Sequence, residues 1–161
     1  ANGTKYTIYQ DLDGPITDFD THFKKYSGGI EPGDYESKMG KEAFWELIDG
    51  KIGLKFWTEM PWASDGHELW NYIKEYKPIL LSAPSRNTIS SDGKKEWVKN
   101  QLPGVKLILS YADQKRKYAN ESSILIDDRK RNVDEWIESG GIGILWVSAD
   151  DTIKQLKELG L

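Results

Sequence analysis

Four carboxylates crowd the stretch "YTIYQDLDGPITDFD", directly after an apolar and β-rich run. Two of them, Asp11 and Asp13, lie two residues apart and precede Gly14. A carboxylate can act as a nucleophile or as a general acid/base, and several carboxylates together are hard oxygen ligands for a cation such as Mg²⁺. By itself, DxDG is also a common turn signal, so its meaning depends on the rest of the chain.

Further reactive side chains follow other short apolar runs. Ser82 ends "PILLS", Asp127 and Asp128 end "SSILIDD", and Lys115 precedes the latter, with Lys117 as an alternative amine. If these runs are parallel strands, their carboxyl ends meet at the edge of the sheet where ligands bind. The acids would then hold a cation, while the hydroxyl and one amine would bind a phosphate.

The elements that must position these groups are visible as an alternation. Apolar runs at "KYTIYQD", "PILLSAPS", "GVKLILS", "SSILIDD" and "GIGILWV" are typical of parallel strands buried on both faces. Between and after them, "TISSDGKKEWVKNQL", "RNVDEWIESGG" and "ADDTIKQLKELGL" have helical patterns. The alternation predicts an α/β fold in which helices cover both faces of a central parallel sheet.

One stretch, from about residue 20 to about residue 70, has no strong strand signal. It is rich in glycine, aromatic residues and short helical patterns. We interpret residues 20–70 as a small, mainly helical cap inserted after the first strand, and residues 1–19 and 71–161 as the α/β core. A cap of this kind can close over a site and exclude water from it.

Aromatic and basic side chains are the candidates for contacting the rest of a substrate. Phe56 and Trp57 lie in the aromatic segment "GLKFWTEMPW", and Phe44 and Trp45 precede it. These rings either pack the cap onto the core or form a stacking wall for a nucleobase. Arg86 is a candidate for binding phosphate or sugar.

Composition limits the remaining classes of function. The chain has 161 residues, enough for one domain, and no apolar window of membrane-spanning length. Its net charge of -4 disfavours general attraction to nucleic acid or an anionic membrane. It contains no cysteine, which excludes disulfides and thiolate chemistry and fits a cytoplasmic location.

The motifs resemble, in this order, those of the haloacid dehalogenase (HAD) superfamily. "DLDGPITDF", "ILLSAPS", the lysine of "QKRKYA" and "ILIDDRKRNVDEW" are similar to its four motifs, and the tail "YANESSILIDDRKRNVDEWIESGGIGIL" is similar to the 5′(3′)-deoxyribonucleotidase branch. The resemblance implies a three-layer Rossmann-like core with a cap. It also implies a Mg²⁺-dependent phosphomonoesterase that cleaves a small phosphorylated metabolite, a (deoxy)nucleoside monophosphate, through an aspartyl-phosphate intermediate.

The same resemblance implies a role for each matching residue. Asp11 would be the nucleophile and a Mg²⁺ ligand, and Asp13 would be the general acid/base and bind the metal through its backbone carbonyl. Ser82 would hydrogen-bond the phosphoryl group. Lys115, preferred over Lys117 by its spacing, would neutralise the nucleophile and the phosphate.

The last motif supplies the remaining metal ligands. Asp127 would bind Mg²⁺ directly, and Asp128 would act from the second shell or through water. Two positions depart from the family pattern. Pro15 lacks an amide proton, although we expect the turn to survive, and Ala83 stands where relatives carry another hydroxyl.

Other functions are compatible with parts of the pattern. A phosphatase acting on the 3′ or 5′ ends of nucleic acids would use the same chemistry, although the acidic balance disfavours a long nucleic-acid track. A phosphorylated receiver domain also combines acids, a hydroxyl and a lysine. In a receiver, however, the acidic pair ends the first strand and the lysine comes last, whereas here the lysine precedes an acidic pair that comes last. A phosphate-binding protein without activity is a further alternative.

Overall fold

Five parallel strands form the central sheet of this computed structural model, which describes residues 6–85 and 87–161. They are β1 (Thr7–Gln10), β2 (Ile79–Ser82), β3 (Leu107–Leu109), β4 (Ser123–Asp127) and β5 (Ile142–Leu145). Their order across the sheet is β3-β2-β1-β4-β5. Each strand lies within one of the five apolar runs, so the predicted α/β fold with a central parallel sheet is confirmed.

Helices cover the sheet and fill the segment between its first two strands. The α-helices in the described part of the chain are α1 (Phe19–Ser27), α2 (Pro32–Met39), α3 (Lys41–Trp45), α4 (Leu54–Thr58), α5 (Gly66–Ile73), α6 (Thr88–Gln101), α7 (Lys130–Glu138) and α8 (Ala149–Glu158). A π-helical segment follows α3, and 3₁₀ segments follow α5 and β3 (Glu46–Ile52, Lys74–Tyr76 and Ala112–Tyr118). Helices α1 to α5 thus all lie between β1 and β2.

The pairing of β1 with β4 sets the position of the acids. Gln10 lies opposite Ile126, and the amide of Asp11 donates to the carbonyl of Ile126 at 2.9 Å. The next residues, Asp11 and Asp127, therefore leave the sheet side by side. The strand order also reverses at this place, because the chain runs from β1 outward to β3 and then crosses to β4 on the other side of β1. Open α/β sheets bind ligands at such a switch point.

Helix α6 joins the sheet to the inserted helical segment. Trp97 is fully buried in the main hydrophobic core, and its indole N–H donates to the carbonyl of Met60 at 2.8 Å. A buried indole that is satisfied in this way fixes the inserted segment against the core. Among the described residues, no helix combines the length and the apolar character needed to cross a bilayer.

Candidate active site

Three carboxylates meet at the carboxyl ends of β1 and β4. Oxygens of Asp11, Asp127 and Asp128 all lie within 4.8 Å of one another, and the first two residues are buried. The residue Asp128 is exposed, but its carboxylate lies so close to Gly14 that a Cβ there would overlap it. Gly14 also has a φ of 105°, which favours glycine. The glycine of the DxDG motif therefore makes room for the third acid.

Lys115 lies between two of these acids. Its Nζ donates to Oδ1 of Asp11 at 3.2 Å and to Oδ2 of Asp127 at 2.9 Å, and the residue is 2% exposed. The alternative, Lys117, is exposed and has its Nζ 5.3 Å from the ring centroid of Tyr118. The structure thus brings Lys115, and not Lys117, to the acids.

The acids and the lysine shift one another's pKa. Burial, and then the charge of Asp127, raises the pKa of Asp11 well above its ordinary value. Asp128 is exposed as a whole residue, but desolvation of its carboxylate, which lies against Gly14, raises its pKa to about 6; a hydrogen bond with Asp11 opposes this shift and the charge of Asp127 adds to it. For Lys115, burial lowers the pKa, but Asp11 and Asp127 outweigh it and raise the pKa above its ordinary value. The neighbouring acids therefore stabilise the charged form of Lys115.

Asp127 is held in a defined orientation from helix α7. The backbone amide of Arg129 donates to its Oδ1 at 2.9 Å, and Asn132 Nδ2 donates to its Oδ2 at 3.1 Å. Together with Lys115, these donors fix both carboxylate oxygens. Sequence reasoning missed Asn132, and the signal available in the sequence was an amide in the first turn of the helix that follows the acidic pair.

The donor set fits a divalent metal ion. Three converging carboxylates supply only hard oxygen atoms, which Mg²⁺ prefers, and their mutual repulsion is the kind of energy that a cation offsets. Asp11, Asp127 and Asp128 would hold the ion. The side chain of Asp13 has other partners, which leaves the predicted metal contact of that residue to its backbone carbonyl.

Asp13 and Ser82 share a second buried lysine. Thr17 Oγ1 donates to Oδ1 of Asp13 at 2.8 Å, and Lys94 Nζ lies 2.7 Å from its Oδ2. The same Nζ donates to Ser82 Oγ at 2.6 Å and to the carbonyl of Ala83 at 3.0 Å. The predicted acid/base and the predicted phosphate-binding hydroxyl are therefore linked through one ammonium group.

Sequence reasoning missed Lys94, although the pattern of α6 contains a signal. The buried residues of this helix include Ser90, Gly93, Lys94, Trp97 and Val98, which recur with helical spacing. A lysine in the middle of such a buried stripe is unusual, since lysine is rarely buried without a partner. The stripe thus singles out Lys94 from the exposed lysine beside it.

A cavity of about 550 Å³ opens above the acids and carries the site residues on its floor. Asp11, Asp13, Ser82, Lys94, Lys115, Asp127 and Asp128 all line it. The rest of the lining is aromatic, acidic and in part basic or neutral, and includes Phe19, Phe44, Trp45, Trp57, Trp146, Asp18, Asp20, Glu36, Arg129 and Asn132. Sequence reasoning missed Trp146, which follows β5 and so lies at the same edge of the sheet as the acids.

The predicted substrate-contacting residues fall in different places. Phe56 is fully buried among Phe19, His22 and Trp57 and does not line the cavity, so it is a packing residue. Trp57 lines the cavity, but it is only 3% exposed. Arg86 lies outside the described residues.

Trp57 is held in place by contacts with Asp49 and Lys94. Its indole N–H donates to Asp49 Oδ1 at 3.1 Å, and Asp49 Oδ2 accepts from Ser85 Oγ at 2.9 Å. The ring centroid lies 5.2 Å from Lys94 Nζ, within the range of a cation–π contact. Trp57 therefore shields Lys94 more than it offers a free face to a ligand.

The turn that contains Pro15 is intact, as expected. The amides of Ile16 and Thr17 both donate to the carbonyl of Leu12 at 3.0 Å, and the amide of Gly14 donates to the carbonyl of Thr17 at 2.8 Å. These bonds use amides on either side of Pro15, so the missing N–H of proline does not open the turn.

Comparisons with known proteins agree on the fold. No protein-family model matches the chain, and no curated protein matches it either. A hydrolase from Streptococcus pneumoniae TIGR4 is 15% identical, with a TM-score of 0.56 over 98% of this chain and 100% of that chain. A HAD-superfamily hydrolase from Ehrlichia chaffeensis is 12% identical, with a TM-score of 0.55 over 96% and 97%. This chain has the fold of the HAD-superfamily hydrolases.

Another solved structure with a similar fold is that of a predicted phosphatase. A predicted phosphatase from Clostridium acetobutylicum is 16% identical, with a TM-score of 0.57 over 95% of this chain and 98% of that chain. The match extends over nearly the full length of both proteins, so the inserted helices take part in it as well as the sheet. At this level of identity, the likeness concerns the fold and leaves the chemistry to be argued from the site.

Proposed function

We propose that this protein is a Mg²⁺-dependent phosphomonoesterase that hydrolyses a small phosphate ester. The observation that carries the proposal is the position of Asp11, whose carboxylate faces the cavity between Lys115 and two further acids. The acids suit a divalent cation, the lysine offsets charge on the nucleophile, and the cavity provides room for an ester.

The reaction follows from the proposed role of each side chain. A carboxylate oxygen of Asp11 attacks phosphorus, the ester P–O bond breaks, and Asp13, which carries a proton at this point of the reaction, gives it to the leaving oxygen. Asp13 then takes a proton from water, which attacks the phosphorus of the aspartyl-phosphate and releases inorganic phosphate and free Asp11. Ser82 donates to the phosphoryl group, and Lys115 balances its charge. When bound, Mg²⁺ supplies further charge neutralisation at the phosphoryl oxygens.

The finer proposal is that the substrate is a (deoxy)nucleoside monophosphate. The motif resemblance to 5′(3′)-deoxyribonucleotidases supports it, and so does the partly exposed aromatic wall formed by Phe19, Trp45 and Trp146, on which a base could stack. Residues 20–70 would act as the cap, because they supply Trp45 to this wall. Asp20 and Glu36 also line the cavity, and their charge disfavours a second phosphate group beside them.

A substrate panel with and without Mg²⁺ tests the phosphatase. Wild type should release phosphate from at least one monophosphate only when Mg²⁺ is present, and Asp11→Asn should lose about 10³-fold or more in kcat because it removes the nucleophile. Asp34→Asn, an exposed acid outside the cavity, is the matched control and should keep wild-type activity. An Asp11→Asn protein as active as wild type would refute the proposal.

The nucleotide is tested by comparing substrates with and without a base. Trp45→Leu should raise KM for nucleoside monophosphates by about 5- to 100-fold, as expected for the loss of one stacking contact, and change KM for glycerol phosphate little. Tyr111→Leu, an exposed aromatic outside the cavity, is the control. An equal effect on both substrates would argue against base stacking. Faster turnover of a 3′-phosphorylated oligonucleotide than of mononucleotides would favour nucleic-acid ends.

A further inference from the structure

Lys94 is a buried cation for which neither the sequence motifs nor the proposed reaction gives a role. The residue is 3% exposed on the inner face of α6, and its Nζ lies in the cavity floor. An ammonium group has three N–H donors, and Nζ has three partners within 3.0 Å: Asp13, Ser82 and the carbonyl of Ala83. Its donors are therefore fully used, in one fixed arrangement.

The contact with Ser82 determines how that hydroxyl can act. Lysine ammonium only donates, so Ser82 Oγ must accept from Lys94. The proton of the Ser82 hydroxyl is then directed at a different acceptor. Because Ser82 lines the cavity beside Asp11, a phosphoryl oxygen would be such an acceptor. Lys94 thus prepares Ser82 as a donor before any ligand enters.

The contact with Asp13 determines the charge at the cavity floor. Lys94 and Lys115 bind different acids, the first Asp13 and the second Asp11 and Asp127. Without Lys94, an ionised Asp13 side chain would face an incoming anion without a cation in contact with it. The repulsion between an anionic ester and this carboxylate would then be larger.

The contacts around Lys94 indicate that this lysine does more than fill space in the core. Trp57 covers it at 5.2 Å from ring centroid to Nζ, and Gly93 brings α6 against that tryptophan. Burying an ammonium group requires desolvation, and an apolar side chain at the same place in the helical stripe would avoid this penalty. A buried lysine that contacts two residues of the proposed site therefore suggests a functional reason.

We propose that Lys94 is a positioning residue for phosphoryl transfer, which orients the Ser82 hydroxyl toward the phosphoryl group and offsets the charge of Asp13. The inference rests on the proposed phosphatase function and adds a second lysine to it. It also explains how the site can work with Ala83 at the position where relatives carry a second hydroxyl, because Lys94 already fixes the Ser82 hydroxyl as a donor.

A double-mutant cycle on the best monophosphate substrate tests this role. Lys94→Met should lower kcat/KM by about 100-fold, the size expected when a charge in a phosphoryl site is removed. Ser82→Ala should also lower it, and the double variant should lie within about threefold of Lys94→Met, because residues that act as a unit are not additive. Lys95→Met, the exposed neighbour on α6, is the charge-matched control and should stay within about twofold of wild type.

Two outcomes would overturn the inference while leaving the phosphatase intact. One is a folded Lys94→Met protein that keeps more than about a third of wild-type kcat/KM. The other is a double variant whose loss equals the product of the two single losses, which would mean that Lys94 does not act through Ser82. If wild type and Asp11→Asn are equally active, the phosphatase proposal itself fails, and this inference fails with it.

Circular dichroism and thermal melting show whether the variants are folded. Should Lys94→Met fail to fold, Lys94→Gln takes its place, because glutamine keeps an N–H donor for Ser82 without the charge. Lys94→Gln should retain native melting, lose about 10-fold in kcat/KM and remain non-additive with Ser82→Ala. A folded Lys94→Gln protein with wild-type kcat/KM would overturn the inference.

Discussion

Gly93 of α6 lies directly against Trp57 of α4, so closely that a Cβ on the glycine would overlap Cβ and Cγ of the tryptophan. The contact joins a helix of the α/β core to a helix of the inserted segment. It also places Trp57 over Lys94, the next residue of α6. One glycine thus sets the distance between the two parts of the chain that line the cavity.

Gly93→Ala should destabilise the protein even though alanine favours helices. The helical preference for alanine is worth about 1 kcal/mol. Overpacking costs about 1–3 kcal/mol, and Trp57 cannot easily move because its N–H is bonded to Asp49. Because the added Cβ would overlap both Cβ and Cγ of Trp57, the cost should lie in the upper part of this range, about 2–3 kcal/mol, and the net loss in urea unfolding should be about 1–2 kcal/mol. Gly33→Ala in α2, where a Cβ meets no atom within 4 Å, is the control and should not lose stability. Equal stability of the two variants would contradict this packing argument.

Lys115→Met should lower both stability and activity, whereas Lys117→Met should affect neither. Removing Lys115 leaves Asp11 and Asp127 buried without their cation, and breaking a buried ion pair costs about 3–5 kcal/mol. The loss of charge balance should also reduce kcat by about 10²–10³-fold. Urea unfolding and steady-state kinetics measure the two effects. If Lys117→Met had the larger effect of the two variants, then Lys117, and not Lys115, would be the lysine that acts in the site.

Asp128→Asn should have opposite effects on stability without and with Mg²⁺. Its pKa is raised to about 6, first by burial, so the charged carboxylate opposes folding at neutral pH. In EDTA, the Asp128→Asn variant should therefore melt at a temperature equal to or higher than that of wild type. In Mg²⁺, wild type should gain stability, by about 2.7 kcal/mol at 100 times the dissociation constant, and the variant should gain much less.

Thermal melting with and without Mg²⁺ measures these shifts. Asp92→Asn, an exposed acid on α6, is the control and should respond to Mg²⁺ as wild type does. A full Mg²⁺ response of Asp128→Asn would remove this residue from the proposed metal site.

His22 should make the free energy of unfolding depend on pH, because its pKa is lower in the folded protein than in the unfolded chain. The residue is 4% exposed, its Nε2 lies 2.8 Å from the carbonyl of Phe56, and burial lowers its pKa. Because the unfolded chain titrates near pH 6.5, the unfolded state binds more protons below that pH. The stability contributed by neutral His22 is fully present above about pH 6.5 and is lost as the pH falls toward the lower pKa of the folded state.

Urea unfolding at several pH values measures this dependence. His22→Gln keeps an N–H donor for Phe56 but cannot titrate, so the difference in stability between wild type and this variant should shrink or reverse from pH 8 to pH 5. His67→Gln is the control, since His67 is exposed and stacked on Trp62. A constant difference for His22→Gln would show that His22 is not held neutral.

Local patterns in the sequence were sufficient to predict the strands and the acids at their ends. Short apolar runs bounded by polar residues identify parallel strands because such strands must be apolar on both faces. The order of Asp11, Ser82 and Asp127 along these runs then predicts that they meet, because parallel strands present their carboxyl ends on one edge. The structure brings these three residues, together with Lys115, to one cavity.

Residues that reach the site from a helix face or across the inserted segment were not predictable in this way. Lys94 and Asn132 approach from helices, and their contribution depends on which face of the helix packs inward. Phe56 and Trp57 are adjacent in sequence, yet one is a core residue and the other lines the cavity. Adjacent positions on a helix point about 100° apart, so small differences in helix placement decide between these outcomes.

The sequence by itself determined the parallel sheet and the set of acids at its edge, since both depend on period and order along the chain. The tertiary structure alone decided which of two lysines joins Asp11, and that Lys94 completes the pairing of Asp13 with Ser82. These choices depend on distances between elements that are far apart in the chain. Such distances are set by packing, including that of Gly93 against Trp57, and packing has no local signature in the sequence.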